Sequence, residues 1–176
     1  MKKIKLNKII LSALFAALCC VFTMVVQVPS PMSGYVNLGD CIVLTSGWLL
    51  GGAYGFLAAG IGSMLADIFT SYAHYAIGTF LIKGIMALLA ALIFAALAKV
   101  IKLRLAARII SAIIAESFMV LGYFLYACLF LGKGVAAISS IPGNLIQGLF
   151  GVVAGVLLTE VLLKINSFKS LINKDN

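Results

Sequence analysis

Long apolar stretches, each bounded by polar or basic residues, occupy most of this chain. About 20 consecutive apolar residues are needed for a helix to cross the hydrocarbon core of a bilayer. Of the 176 residues, 64% are hydrophobic and only 10% are charged, whereas soluble domains carry about a quarter charged residues. We therefore predict an integral membrane protein in which residues 1–176 form a single domain embedded in the lipid bilayer.

The net charge of +8 is concentrated in three short segments that flank the apolar stretches. Segments 2–8, 99–108 and 164–174 together hold 11 of the 13 Lys and Arg residues. Basic residues beside membrane spans mark the cytoplasmic side, so these segments and both termini are predicted to be cytoplasmic. Because the basic clusters flank membrane spans, we predict no nucleic-acid partner.

The apolar region 38–72 decides the topology, because it can form one helix or two. A single helix of that length would reach about 50 Å, against a hydrocarbon core of about 30 Å. Two helices, broken at Gly51 and Gly52, also keep all basic segments on one side. The fold class is therefore an all-α membrane protein with six transmembrane helices, predicted at 8–27, 38–50, 53–70, 79–98, 109–131 and 143–164.

Polar residues gather at the predicted outer end of this bundle. Ionisable and amide side chains are costly inside a membrane and usually face a cavity. Tyr123 is on the same helix face as Glu116, which lies deeper, and the Asn144 face of the last helix is otherwise lined with glycine. The residues predicted to bind a substrate are Asn37, Asp67, Lys83, Glu116, Tyr123, Asn144 and Gln147.

Several of the charged residues also have structural interpretations. Asp40 could cap the second helix, and Asp67 with Lys83 could form a neutralising pair. We interpret Glu160, four residues before Lys164, as the acid of a structural pair.

The aromatic residues allow two interpretations as well. Tyrosines such as Tyr123 and Tyr126 could form an interfacial belt or stack on an aromatic ligand. Trp48 is interpreted as an interface anchor.

Catalytic motifs are missing from the sequence. No zinc-protease, nucleophile-elbow, Walker or dinucleotide-binding motif is present, and the single His and four Cys lack metal-ligand spacing. We predict no catalytic residues, no metal and no cofactor.

The order of several short motifs resembles the S component of energy-coupling factor (ECF) vitamin transporters. The resemblance covers nearly the whole chain and includes an alanine pair, Ala13 and Ala17, in the first helix. The other motifs that carry it are residues 34–40, 62–68, 79–84, 122–123 and 141–148.

This resemblance implies a multi-pass protein of the bacterial plasma membrane that binds a vitamin or precursor at its outer end. It also implies a transmembrane coupling subunit, docked on Ala13 and Ala17, and two ATPase subunits that hydrolyse ATP. Loop 29–38 would act as a lid, and the S component would topple in the membrane during transport. The side chains at the outer end favour a small heteroaromatic ligand resembling pyridoxine or hydroxymethylpyrimidine, with riboflavin also open.

Three other functions remain alternatives. A stand-alone proton-coupled transporter would use Asp67 or Glu116 as its proton carrier. A membrane enzyme would need a catalytic constellation, which the sequence lacks. A scaffold protein would not need inward polar residues at one end.

Overall fold

The structure, a computed structural model, describes residues 6–30 and 34–166. The predicted basic residues at 2–5 and 169–174, together with Pro31, lie outside this range. Six α helices are present in the described part, and five of them are long and apolar enough to cross a membrane. The predicted all-α fold of six helices is confirmed. The helices are α1 Leu6–Val25, α2 Gly39–Leu50, α3 Gly52–Phe69, α4 Ala76–Leu97, α5 Arg104–Leu125 and α6 Ile141–Lys164.

Helix α2 lies at the centre of the bundle. It has 12 residues, of which 11 are buried, and it packs against α1, α3, α4 and α6. At about 1.5 Å per residue it is about 18 Å long, which is shorter than the hydrocarbon core. A helix this short is tolerated because its neighbours, rather than lipid, surround its backbone.

The break between α2 and α3 occurs at two glycines. Gly51 and Gly52 have φ angles of 69° and 27°. Residues with a Cβ atom rarely adopt such positive φ angles. The chain therefore reverses within one turn, and α3 returns alongside α2.

A β hairpin joins α1 to α2, where the sequence predicted only a non-helical loop. Strand β1 (Gln27–Ser30) pairs antiparallel with β2 (Gly34–Asn37), with Gln27 opposite Asn37. Pro29 cannot continue a helix but is tolerated in an edge strand. We call the end of the bundle that carries this segment the hairpin end.

Close helix contacts rely on glycine. A Cβ atom at Gly47 in α2 would overlap the backbone carbonyl of Ala87 in α4, and one at Gly62 would overlap the carbonyl of Ala16 in α1. Small residues at these positions let the helix backbones approach closely.

An ion pair joins α5 to α6 at the end opposite the hairpin. Arg108 pairs with Glu160, so the predicted pair between Glu160 and Lys164 is wrong. The partner comes from another helix because α5 and α6 pack together and bring the buried Arg108 against α6.

Trp48 also lies at this end, in a half-buried position. Its Nε1 donates to Ser111 Oγ at 3.0 Å, and the Arg108 guanidinium lies 5.5 Å from its ring centroid. Its polar contacts are therefore with α5, and its role as an interface anchor stays a prediction.

Candidate functional site

A small polar cavity lies at the hairpin end, between the hairpin and helices α1, α3, α4, α5 and α6. Its volume is about 40 Å³, whereas cavities that hold small-molecule ligands usually measure about 300 Å³ or more. Binding of a ligand as large as a vitamin would therefore require the hairpin or the lining side chains to move. Six of the seven predicted substrate-binding residues line the cavity, namely Asn37, Asp67, Lys83, Tyr123, Asn144 and Gln147.

Gln147 connects the hairpin to the core of the bundle. Its Oε1 accepts hydrogen bonds from the Asn37 backbone N–H at 2.8 Å and from Asn37 Nδ2 at 3.3 Å. Its Nε2 donates to Asp40 Oδ2 at 2.7 Å. Both groups of this amide are thus used within the protein, and Gln147 fixes the base of the hairpin as well as lining the cavity.

Lys83 forms a buried ion pair with Asp40. Lys83 and Asp40 are 2% and 0% exposed, and Lys83 Nζ lies 5.3 Å from the Tyr123 ring centroid. The predicted Asp67–Lys83 pair is therefore wrong, since the partner is the acid at the start of α2.

The interpretation of Asp40 as a helix cap is also wrong. The N-cap of α2 is Leu38, which makes no side-chain capping hydrogen bond, and Asp40 lies within the first turn. Its carboxylate instead points toward α4 and α6, where it accepts from Lys83 and Gln147.

Asp67 holds the hairpin from the other side of the cavity. The Tyr35 hydroxyl on β2 donates to Asp67 Oδ1 at 2.6 Å, and the Tyr35 ring lies 4.4 Å from that of Tyr72. Burial, together with the neighbouring Asp67 carboxylate, raises the pKa of the Tyr35 hydroxyl well above its usual value. The hydroxyl therefore stays protonated and keeps donating at neutral and moderately alkaline pH.

Tyr123 lies at the wall formed by α4 and α5. Its hydroxyl donates to Thr79 Oγ1 at 3.1 Å, and its ring lies 6.2 Å from that of Tyr75. The two rings give the cavity an aromatic side.

Glu116 is the one predicted binding residue that does not line the cavity. It is 4% exposed and lies against Gly148 and Gly151 of α6, beside Asp40. Among the described residues, neither of its carboxylate oxygens accepts a hydrogen bond. It can hydrogen bond with Asp40 only if one of the two acids carries a proton.

An apolar groove of about 460 Å³ lies on the other side of the Asn37–Gln147 pair. Both residues line the groove as well as the cavity, and the other lining residues, such as Val28, Ile146 and Phe150, are almost all apolar. The amide pair therefore separates a polar space from an apolar one.

The sequence-based prediction missed several hydroxyl groups of the cavity. Ser63 and Thr79 both line it. Each lies four residues before a predicted site residue, Asp67 and Lys83 respectively, and so on the same helix face. This spacing was the signal that could have found them. The other lining residues outside the predicted set are Thr23, Tyr35, Tyr75 and Ser140.

Ala13 and Ala17, predicted to dock a partner, are exposed on α1. Large apolar side chains around them, including Ile10, Leu14 and Val21, are also exposed. This face of α1 is therefore available to lipid or to another protein.

The helical bundle defines the class as a multi-pass membrane protein, and a polar cavity lies between its helices. The sequence profile of the family "ECF-type riboflavin transporter, S component" matches residues 3–164. The chain belongs to this family. It is thus a substrate-binding component of a membrane transporter rather than an enzyme.

A relative from Pyrococcus woesei is described as an uncharacterized protein in a gap 3′ region. It is 30% identical over 145 residues, which cover 82% of this chain and 93% of the relative. This similarity extends over nearly the whole membrane domain.

Proposed function

We propose that this S component captures a small, water-soluble heteroaromatic vitamin or precursor with high affinity in the cavity at the hairpin end. The observation that carries the proposal is the polar cavity, in which aromatic rings and amide groups converge from the hairpin and five helices. Tyrosine rings can stack on a flat ligand, while amides and hydroxyls satisfy its polar edge.

A single-ring ligand resembling pyridoxine or hydroxymethylpyrimidine is the first substrate class. Its small size suits a cavity that must expand from about 40 Å³. The family description makes riboflavin the second class. A three-ring flavin would need a larger displacement of the hairpin than a single ring would.

The binding experiment is a thermal-shift screen of the purified chain against B vitamins and their precursors, followed by calorimetry on each hit. We expect one compound to raise the melting temperature and to bind at submicromolar concentration. Failure of every vitamin and precursor to bind would contradict the proposal.

Asn144→Ala tests where the ligand binds, because Asn144 lines the cavity without joining the Asp40–Lys83 pair. We expect binding to weaken by about tenfold, the cost of one lost polar contact. Ser117→Ala is the matched control, since Ser117 is exposed on α5 outside the cavity.

Gln147→Ala is expected to weaken binding too, and it should also lower stability. Its amide holds Asn37 and Asp40 in place. A variant that binds normally would place the ligand elsewhere.

Proton-coupled transport by the chain alone is the second candidate function. It is favoured by Glu116, a buried acid whose oxygens accept no hydrogen bond among the described residues. Uptake by this route would collapse with an uncoupler and persist without an ATPase partner. Uptake by the proposed route needs a coupling subunit and two ATPase subunits.

A further inference from the structure

We propose that the cavity accepts a neutral or cationic ligand and rejects the anionic form of the same compound. The inference rests on the proposed function, since it specifies the charge of the ligand at the same site. It follows from the way in which the buried charges of the hairpin end are paired.

The first step concerns Lys83, the only cation among the cavity-lining residues of the described chain. Its ammonium group is paired with Asp40, which is fully buried. If a ligand anion took over Lys83, Asp40 would keep only the amide of Gln147 as a partner. Removing one partner of a buried ion pair is strongly unfavourable, so Lys83 is not available to an anion.

The second step concerns Asp67, the acid that does line the cavity. It is 2% exposed, and the Tyr35 hydroxyl donates a hydrogen bond to its Oδ1 only. Its Oδ2 is buried and accepts no hydrogen bond of normal geometry in the described part of the chain, although the Thr79 hydroxyl is close enough to interact. Asp67 thus offers an acceptor to an N–H or O–H group of a ligand.

Ser63 adds a second unused group in the same place. Its hydroxyl is buried without a hydrogen-bond partner among the described residues, and it lines the cavity one helical turn from Asp67. A hydroxyl can donate or accept. Ser63 and Asp67 together match a ligand edge that carries at least one donor.

The third step is the charge balance. Asp40, Asp67 and Lys83 carry a net charge of about −1 when all are ionised. Glu116, which lies beside Asp40, is an acid and cannot offset this negative charge. Lys133 contacts the Tyr75 hydroxyl at 3.2 Å but does not line the cavity. An anion entering this low-dielectric space would meet an uncompensated carboxylate and no available cation.

The test compares ligand pairs that differ in charge, using the full-length chain in lipid nanodiscs. Pyridoxine is paired with 4-pyridoxate, which is similar in size, and riboflavin is paired with its 5′-phosphate. Calorimetry should show the uncharged member binding about a hundredfold more tightly. Equal or tighter binding of the anionic member would overturn the inference.

Asp67→Asn separates charge from size, because asparagine keeps the shape and can still accept from Tyr35. The preference for the uncharged member should fall by about tenfold in this variant. Glu160→Gln, an acid at the opposite end, should leave the preference unchanged. An unaltered preference in Asp67→Asn would show rejection by size and overturn the charge argument.

Failure of the proposed function gives a different result. In that case no vitamin or precursor of the thermal-shift screen binds, and neither member of either pair binds, to the native chain or to the variants. That outcome would overturn the proposed vitamin site and the charge preference together, whereas binding with the wrong charge preference would overturn only the latter.

Discussion

Asp40 is the residue on which the polar interior depends most. It is fully buried, and it is the partner of both Lys83 and Gln147. Asp40→Asn would leave the ammonium group of Lys83 buried beside a neutral amide. We expect the free energy of unfolding to fall by about 3 kcal/mol, measured by thermal or denaturant unfolding in detergent.

The matched control for Asp40→Asn is Glu160→Gln, because that acid also pairs with a buried base but is partly exposed itself. Because the Glu160 side chain is 39% exposed and solvent screens its attraction to Arg108, its loss should cost less than the loss of Asp40. Equal destabilisation by the two substitutions would show that Asp40 contributes no more to the free energy of unfolding than Glu160 does.

Individual site residues were predictable from the sequence, but their pairing was not. Asn37, Asp67, Lys83 and Gln147 stand out as polar residues next to apolar stretches, and all four line the cavity. The sequence contains more than one acid that could form an ion pair with Lys83. Which one it contacts depends on how α2 and α4 are rotated against each other, and hydropathy carries no information about that rotation.

At the scale of helices, glycine sets how closely α2 approaches α4. Gly47→Ala would place a Cβ atom on the carbonyl of Ala87, and a backbone carbonyl cannot turn aside as a side chain can. We expect a loss of about 2 kcal/mol in unfolding free energy, measured by thermal unfolding.

Gly155→Ala is the control for this packing effect. A Cβ atom at Gly155 would lie 3.3 Å from its nearest neighbours, Cys41 and Leu44, so the helices need to shift only slightly. An equal loss at Gly47 and Gly155 would indicate that helix propensity or general crowding, not the approach of α2 to α4, determines the effect.

Hydrogen bonds hold the hairpin at two points, Tyr35 to Asp67 and Asn37 to Gln147. The first of these bonds can be removed by a substitution that keeps the shape of the side chain. Tyr35→Phe deletes the hydrogen bond to Asp67, and a hydrogen bond to a charged group contributes about 1.5 kcal/mol or more. We expect the ligand found by the screen to dissociate about tenfold faster in stopped-flow experiments.

Tyr54→Phe, near the start of α3 at the opposite end, serves as the control for Tyr35→Phe. Because the pKa of Tyr35 is raised, its hydroxyl remains a donor up to at least about pH 9. The contribution of Tyr35 to the dissociation rate should therefore be constant from about pH 6 to about pH 9. A rate that rises across this range in native protein but not in Tyr35→Phe would contradict the raised pKa of Tyr35. Equal dissociation rates in the two proteins would contradict the role of Tyr35 in holding the hairpin.

The elements themselves differed in how well the sequence predicted them. Apolar length located the long helices, and charge balance indicated the break at Gly51. The hairpin was missed because its strands have only four residues each and include Pro29. Their pairing is supported by the contacts of Tyr35 and Asn37 with the helices, which lie far away in the sequence.

For the molecule as a whole, the predicted docking of a coupling subunit on the exposed alanines of α1 can be tested by substitution. Ala13→Leu would add bulk to a surface that is exposed in the isolated chain, so binding of the ligand should be unchanged. Uptake by cells that also contain the coupling and ATPase subunits should fall by about tenfold or more, measured with radiolabelled ligand.

Ala95→Leu, at an exposed alanine of α4, is the matched control for Ala13→Leu and should leave uptake intact. Unchanged uptake in Ala13→Leu would contradict a docking role for this face of α1.

The shortness of α2 has a consequence for biosynthesis. A 12-residue helix carrying Asp40 is too short to remain stably across a bilayer alone. Its counter-charge, Lys83, is synthesised more than 40 residues later. Helices α2 and α3 would therefore have to enter the membrane as a pair, and Asp40 would stay without its counter-charge until α4 is inserted. Ribosome stalling before α4 emerges should leave α2 accessible to water-soluble thiol reagents at Cys41, whereas the complete chain protects that residue.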